Sequence, residues 1–148
     1  HPNIVPFLDV SSGIQACIVS QWMENGDVMS YLERFPDSSR RELILDIAHG
    51  LEYMRANGLI HGDMKSRNVL VDAKGRALLS DFGLAATILG TSSLVSSTGE
   101  SANWGTWRYM APELLDPKVE IKVLTMKADT YGSGMTAWEV WSPIRTEP

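Results

Sequence analysis

Residues 61–83 read HGDMKSRNVLVDAKGRALLSDFG, and the reading of that stretch decides the fold. Val69-Leu70-Val71 is an apolar run of the length of a short buried strand. Ala73-Lys74-Gly75 supplies a turn, and Ala77-Leu78-Leu79 reads as a second short strand. Together they predict a hairpin with Asn68 just ahead of one strand and Asp81 just after the other. Those two side chains would stand side by side, with Asp63 and Lys65 on the loop leading in. An ordinary β-hairpin with acidic ends would account for Asp81-Phe82-Gly83 by itself. It gives no reason for the D-x-K-x-x-N spacing of Asp63, Lys65 and Asn68 ahead of it.

These residue types suit the transfer of a phosphoryl group. Two oxygen ligands hold Mg²⁺ against phosphate oxygens, because that ion keeps most of its waters and takes few protein ligands. A carboxylate orients an attacking hydroxyl and accepts its proton, and a lysine neutralises charge on the moving group. The pattern resembles the catalytic and metal-binding loops of eukaryotic protein kinases. The resemblance implies that Asp63 is the base and Lys65 the phosphate-contacting cation. It makes Asn68 and Asp81 the Mg²⁺ ligands and ATP the phosphoryl donor. Phe82 would pack beneath the site, and Gly83 would let the metal-binding loop turn.

Outward from this stretch, Ile4 to Val10 and Gln15 to Ser20 read as strands joined by a turn at Ser11-Ser12-Gly13. Asp27 can cap a short helix running through about Arg34, which Pro36 ends. Ser39 and Glu42 form a capping box ahead of a long helix at about 39–56. Its apolar stripe is Leu43, Ile44, Ile47, Ala48, Leu51 and Met54, and Asn57-Gly58 is its stop. From Ala85 to Gly105 the chain turns to Ser, Thr and Gly, which predicts a mobile loop flanked at its end by Trp104 and Trp107. Thr125 to Ser142 reads as a second long helix capped by Thr125, with Met126, Tyr131, Met135, Trp138 and Trp141 as its core side. Gly132 and Gly134 weaken that helix by about 1 kcal/mol each, so tertiary contacts must hold it.

A chain of 148 residues is long enough for one domain with its own core. Its hydrophobic content of 44% and charged content of 21% are those of a soluble globular protein. A net charge of −5 with scattered basic residues gives no reason to expect nucleic acid or an anionic membrane as partner. No apolar stretch approaches the roughly 20 residues that span a bilayer, and no secretory signal opens the chain. The single cysteine, Cys17, excludes an intramolecular disulfide and lies in an apolar run that favours buried packing. A reducing, cytoplasmic (intracellular) setting fits. A start at His1 without methionine and a stop at Pro148 suggest a piece of a longer polypeptide.

The kinase resemblance covers nearly the whole chain but only part of the family's domain. It implies an incomplete α+β protein-kinase-like fold: a mostly helical C-lobe, a short catalytic β-hairpin and two remaining N-lobe strands. Residues 1–20 resemble strands 4 and 5 of the N-lobe, 21–25 the hinge, and 26–148 the C-lobe through its long buried helix. On that alignment Ser20 takes the gatekeeper position, the backbones of Gln21 and Met23 bond adenine, and Leu70 packs under it. The hinge stretch alone also reads as a hydrophobic strand and a turn. Phe7, His61 and Phe82 match three members of the hydrophobic column that couples the lobes. The segment Gly105 to Glu113 resembles the substrate-docking segment and A-P-E motif. Asp129 matches a buried helix aspartate that anchors the catalytic loop, its alternative being a solvated helix residue. Lys65 and Gly105-Thr106 resemble the Ser/Thr-specific pattern. The hinge and Trp138-Glu139-Val140-Trp141 are similar to the tyrosine-kinase-like branch.

The chain departs from the family at identifiable points. It contains no G-x-G-x-x-G, no V-A-I-K lysine and no helix glutamate to pair with that lysine. The arginine that normally pairs with Glu113 is also missing, so Glu113 must either stay solvated or leave a charge buried and unpaired, at a cost of about 3–5 kcal/mol. Gly62 stands where most members have arginine. That leaves the Ser/Thr cluster at 91–101 open between a phospho-switch and a flexible polar loop. Two functions follow. One is a protein kinase that transfers the ATP γ-phosphoryl group to Ser/Thr hydroxyls of protein substrates, with Tyr left open. The other is a pseudokinase or truncated non-catalytic interaction module. The 148 residues by themselves are expected to show little kinase activity.

Overall fold

A computed structural model describes residues 1–12, 16–81, 86–87, 107–118 and 124–142. Strands β1 (Phe7–Ser12) and β2 (Ala16–Ser20) come first, then helices α1 (Val28–Arg34) and α2 (Arg40–Ala56). A two-residue strand β3 (Leu59–Ile60) leads to a 3₁₀ turn at Ser66–Asn68, then β4 (Val69–Val71), β5 (Ala77–Leu79) and β6 (Ala86–Thr87). A second 3₁₀ turn at Trp107–Tyr109 precedes α3 (Pro112–Leu115) and α4 (Met126–Trp141). Among the described residues no helix is long and apolar enough to cross a membrane.

The predicted hairpin forms, with Val69 opposite Leu79, Leu70 opposite Leu78 and Val71 opposite Ala77. Its two strands are gripped from both sides by earlier chain. The N–H of Leu79 donates to Asn3 O at 3.0 Å, and Val5 N–H donates to Leu79 O at 2.9 Å. On the far side, Val71 N–H donates to Gly26 O at 2.8 Å and Asn25 N–H to Val71 O at 3.2 Å. The buried Asn3 adds a side-chain bond to Ala77 O at 3.0 Å. These contacts correct the first strand. It begins at Phe7 rather than Ile4, because residues 3–5 pair with β5 and Pro6 has no N–H to give. Ser11 and Ser12 continue β1 instead of turning, and pair with Cys17 and Ala16 of β2. The side chain of Cys17, like Gly13, lies outside the described residues.

Both early helices start where their caps are. Asp27 Oδ1 accepts from the N–H groups of Met29 and Ser30 at 3.0 and 3.1 Å. Phe35, next to Pro36, ends α1 at φ −130°. Ser39 Oγ accepts from Glu42 N–H at 3.3 Å, but only this half of the capping box forms. The Glu42 carboxylate meets the neighbouring Arg41 guanidinium at 2.9 Å instead. At the other end of α2, Gly58 takes the left-handed φ of +68° that lets the chain leave the helix.

The face that α2 buries is Leu43, Ile47, Gly50 and Met54, with Ile44 and Leu51 half-buried and Ala48, placed in the stripe from sequence, exposed. Hairpin residues Val69, Val71, Ala77 and Leu79 lie on it with no exposure, joined by Val28 and Leu32 of α1 and Val140 of α4. A larger correction concerns α4. Its Thr125 cap forms, with Oγ1 accepting from Ala128 N–H at 3.1 Å. However, it buries Ala128, Asp129, Gly132, Thr136 and Val140, while Tyr131, Trp138 and Trp141 are 39%, 65% and 62% exposed. Met126 and Met135 are only half-buried. The reason is distance. A Cβ on Gly132 would sit 2.9 Å from Met64 Cβ and 3.3 Å from Tyr109 O, so a large inward residue has no room. Finally, Ala86 and Thr87 pair with Ile60 and Leu59, so the Ser/Thr/Gly-rich stretch opens with a strand its composition does not announce. The remainder of that stretch lies outside the described residues.

The glycines therefore differ in kind. A Cβ on Gly50 would lie 2.6 Å from the backbone oxygen of Asn3, whereas one on Gly134 would meet nothing within 4 Å. Gly50→Ala gains about 1 kcal/mol of helix propensity but loses more to overpacking of about 1–3 kcal/mol or above, so a net loss is expected. Gly134→Ala should instead raise stability by up to about 1 kcal/mol. Denaturant midpoints of the two variants, moving in opposite directions, check both signs.

Candidate functional site

The loop between β3 and β4 is built around a carboxylate from another element. Asp129, in the first turn of α4, is 3% exposed. Its Oδ2 accepts from His61 N–H at 2.7 Å and its Oδ1 from Gly62 N–H at 2.9 Å. A buried carboxylate is tolerable when it accepts such bonds. Burial pushes the Asp129 pKa up, and the two N–H groups and His61 oppose that shift. The bend at Gly62 has φ +80°, a conformation that favours glycine over the arginine common at this position in the resembled family.

His61 is wholly buried, and burial lowers its pKa despite Asp129, so the ring is neutral at pH 7. Its Nδ1 accepts from Asp63 N–H at 3.3 Å, which places the ring proton on Nε2, donating to Ser80 O at 2.9 Å. Ser80 in turn donates to Asn68 O twice, from N–H at 2.9 Å and from Oγ at 3.1 Å. The loop and the two hairpin ends are thereby one hydrogen-bonded unit.

Within that unit three sequence-selected side chains converge. Lys65 Nζ lies 2.5 Å from Asp63 Oδ2, and Asn68 Nδ2 donates to the same oxygen at 3.0 Å and to Asp63 O at 2.8 Å. Both bonds to the carboxylate fall on Oδ2, so among the described residues no donor meets Oδ1. The bonds of Nδ2 also fix the Asn68 amide orientation and turn its oxygen away from Asp63. Asp81 leaves β5 exposed, at φ +54°, a left-handed conformation that aspartate tolerates better than most residues. An amide oxygen and a carboxylate at adjacent hairpin ends are hard oxygen donors, the set that fits Mg²⁺.

The remaining selected residues divide. Leu70 packs with Val5, Met23 and Leu78, so the structure brings Leu70 and Met23 together. Ser20 and Gln21 are exposed at the end of β2, and the Gln21 N–H is already donated to Pro6 O at 3.2 Å. Among the described residues the Met23 N–H meets no acceptor, while its carbonyl accepts from Gly26 N–H at 3.2 Å. Phe7 is 63% exposed on β1, whereas His61 is wholly buried. Phe82, Gly83, Gly105 and Thr106 lie outside the described residues. Glu113 is exposed in the first turn of α3 and stays solvated. Sequence reasoning missed Ser80, Ser66 and Asn3, whose roles rest on backbone and side-chain bonds that no spacing signals.

A family model described as protein tyrosine and serine/threonine kinase matches residues 1–147. The chain belongs to the protein tyrosine and serine/threonine kinase family. It is 37% identical to serine/threonine/tyrosine-protein kinase HT1 of Arabidopsis thaliana, over 97% of the chain and 36% of that protein. It is 32% identical to serine/threonine-protein kinase STY46 of the same plant, over 95% of the chain and 24% of that protein. With the cytokinesis protein sepH of Aspergillus niger the identity is 33%, over 95% of the chain and 10% of that protein. The kinase-family chain thus spans little more than a third of the length of the first relative and about a quarter of the second.

Two expectations follow from the geometry. Asp129→Asn puts an NH₂ group against one of two backbone N–H donors, and should cost about 1–3 kcal/mol and speed amide exchange at His61 and Gly62. The second concerns Asp72 in the hairpin turn. Its pKa is lowered from 3.8: burial pushes it up, but the Arg76 N–H and guanidinium and the Lys74 N–H outweigh burial. A lowered folded pKa adds stability above pH 3.8 that is lost as pH falls through the folded value. Asp72→Asn should therefore lower stability at pH 7 by about 1–3 kcal/mol and flatten its dependence on pH below that point, measured by denaturation across an acid series.

Proposed function

We propose that this chain carries the catalytic loop, the metal-binding ends and the hinge of a protein kinase that transfers the ATP γ-phosphoryl group to Ser/Thr hydroxyls of protein substrates. What supports this reading most is the Asp63 carboxylate, with Lys65 and Asn68 converging on Oδ2 and Oδ1 left without a donor among the described residues. That free oxygen faces the role of a base: it accepts a hydrogen bond from the incoming hydroxyl, orients it and takes its proton as the new phosphorus–oxygen bond forms and the bond from the γ-phosphorus to ADP breaks, releasing ADP. Lys65 is near enough to Asp63 to offset charge on the transferring oxygens. Bound Mg²⁺ would supply Lewis-acid neutralisation of the phosphates, and Asn68 and Asp81 would hold it. Leu70 and Met23 would form the apolar floor for the adenine, with the Met23 N–H as a donor to the ring. Residues 1–20, 21–25 and 26–148 would correspond to N-lobe strands, hinge and C-lobe of that domain.

The test uses the full-length protein that contains this chain. Asp63→Asn should lower the rate of phosphotransfer from Mg-ATP to a protein acceptor by about 10²–10⁴-fold, the usual contribution of a positioned base. Nucleotide affinity should be nearly unchanged, because Asp63 is assigned to the hydroxyl and not to ATP. Full activity in that variant would remove Asp63 from the role. Absence of transfer in the unsubstituted protein would favour a non-catalytic module.

A further inference from the structure

The catalytic loop has a tie that the assigned chemistry does not use. Ser66 is 4% exposed and stands between Lys65 and Asn68. Its Oγ lies 3.3 Å from the hydroxyl of Tyr109, and that hydroxyl bonds to Glu139 Oε2 on α4. The direction of this chain follows from chemistry. A carboxylate only accepts, so the Tyr109 proton goes to Glu139, and the Tyr109 oxygen then accepts from Ser66 Oγ–H. Burial, with the Glu139 bond, pushes the Tyr109 phenol up to about 12, so the proton stays in place at working pH.

The other anchors hold the loop elsewhere. Asp129 takes the N–H groups of His61 and Gly62, His61 takes that of Asp63, and Ser80 holds Asn68 O. Among the described residues, Tyr109 is the only side chain from another element that hydrogen-bonds to residues 64–67. Its own backbone is fixed as well, since the Tyr109 carbonyl and Met64 both pack on Gly132.

We propose that Tyr109, anchored by Glu139, is a positioning residue that holds Ser66 and so keeps Lys65 and Asn68 aligned on Asp63. This rests on the phosphotransfer reading of the site. It makes the segment ahead of α3 a determinant of turnover and not of nucleotide affinity.

The experiment uses the full-length protein, Mg-ATP and casein as acceptor. Tyr109→Phe keeps the ring volume and removes both bonds. It should lower kcat about tenfold, the ratio given by about 1.4 kcal/mol, with KM for ATP unchanged within about twofold. Glu139→Gln keeps an acceptor for the phenol and should hold kcat within about threefold, whereas Glu139→Ala should match Tyr109→Phe. Amide exchange supplies an arm that needs no activity. The Asn68 N–H, which donates to Lys65 O at 3.0 Å, should exchange faster in Tyr109→Phe at equal global stability. Unchanged kcat, or kcat and KM for ATP shifting together with a lowered melting point, would overturn the positioning role. If the unsubstituted protein transfers no phosphate, the phosphotransfer reading fails. Unchanged Asn68 exchange would then reject the Tyr109 tie on its own.

Discussion

The two bonds that Asp129 accepts from the backbone of His61 and Gly62 are the constraint from which the rest of the site is built. A carboxylate this deeply buried loses hydration worth several kcal/mol, and only fixed donors at short range can replace it. The backbone supplies them by bending at Gly62, where the left-handed φ of +80° turns consecutive N–H groups toward one side chain. That bend aims the His61 ring inward to Ser80, and through Ser80 it sets the position of Asn68 relative to Asp63. A helix residue far along the chain thus determines where the side chains of Asp63, Lys65 and Asn68 meet. The energetic cost of burying Asp129 is offset by order at the loop.

How much of this was legible beforehand depends on which force decided each feature. The hairpin, the Asp27 cap, the Gly58 exit and the extent of α2 follow from local terms: strand propensity, a side-chain oxygen for orphan N–H groups, a residue that tolerates positive φ. Those terms act within a few residues and are visible in a linear chain. The orientation of α4 is not of that kind. Its sequence carries two apolar stripes at helical spacing, one large (Tyr131, Trp138, Trp141) and one small (Ala128, Gly132, Thr136, Val140). Hydrophobicity favours burying the large one. Close approach to Met64 and Tyr109 selects the small one, and that approach depends on the loop that Asp129 holds. Gly50 on α2 repeats the lesson, since the carbonyl of Asn3 takes the space a side chain would need.

The site divides along the same line. Asp63, Lys65, Asn68 and Asp81 could be selected because residue type and spacing are visible in the linear chain. Their supports could not. Ser80 works through its backbone and hydroxyl, His61 through a tautomer fixed by the Asp63 N–H and the Ser80 carbonyl, and Asn3 through a bond to Ala77 O formed across 74 positions of sequence. Likewise, the Gln21 N–H is occupied by Pro6 O, next to the residues 3–5 that pair with β5, a contact that no spacing signals.

The contacts that flank the hairpin have a further consequence. A two-stranded ribbon of three-residue strands has two open edges, each a row of backbone groups that would template pairing with another extended chain. Here residues 3–5 cover the β5 edge, and Asn25 and Gly26 cover the β4 edge. Each cover is too short to act as a strand that could itself be extended. The ribbon that presents Asn68 and Asp81 is thereby sealed against strand addition. Its ends can remain polar and open to a ligand without its sides becoming a site of aggregation.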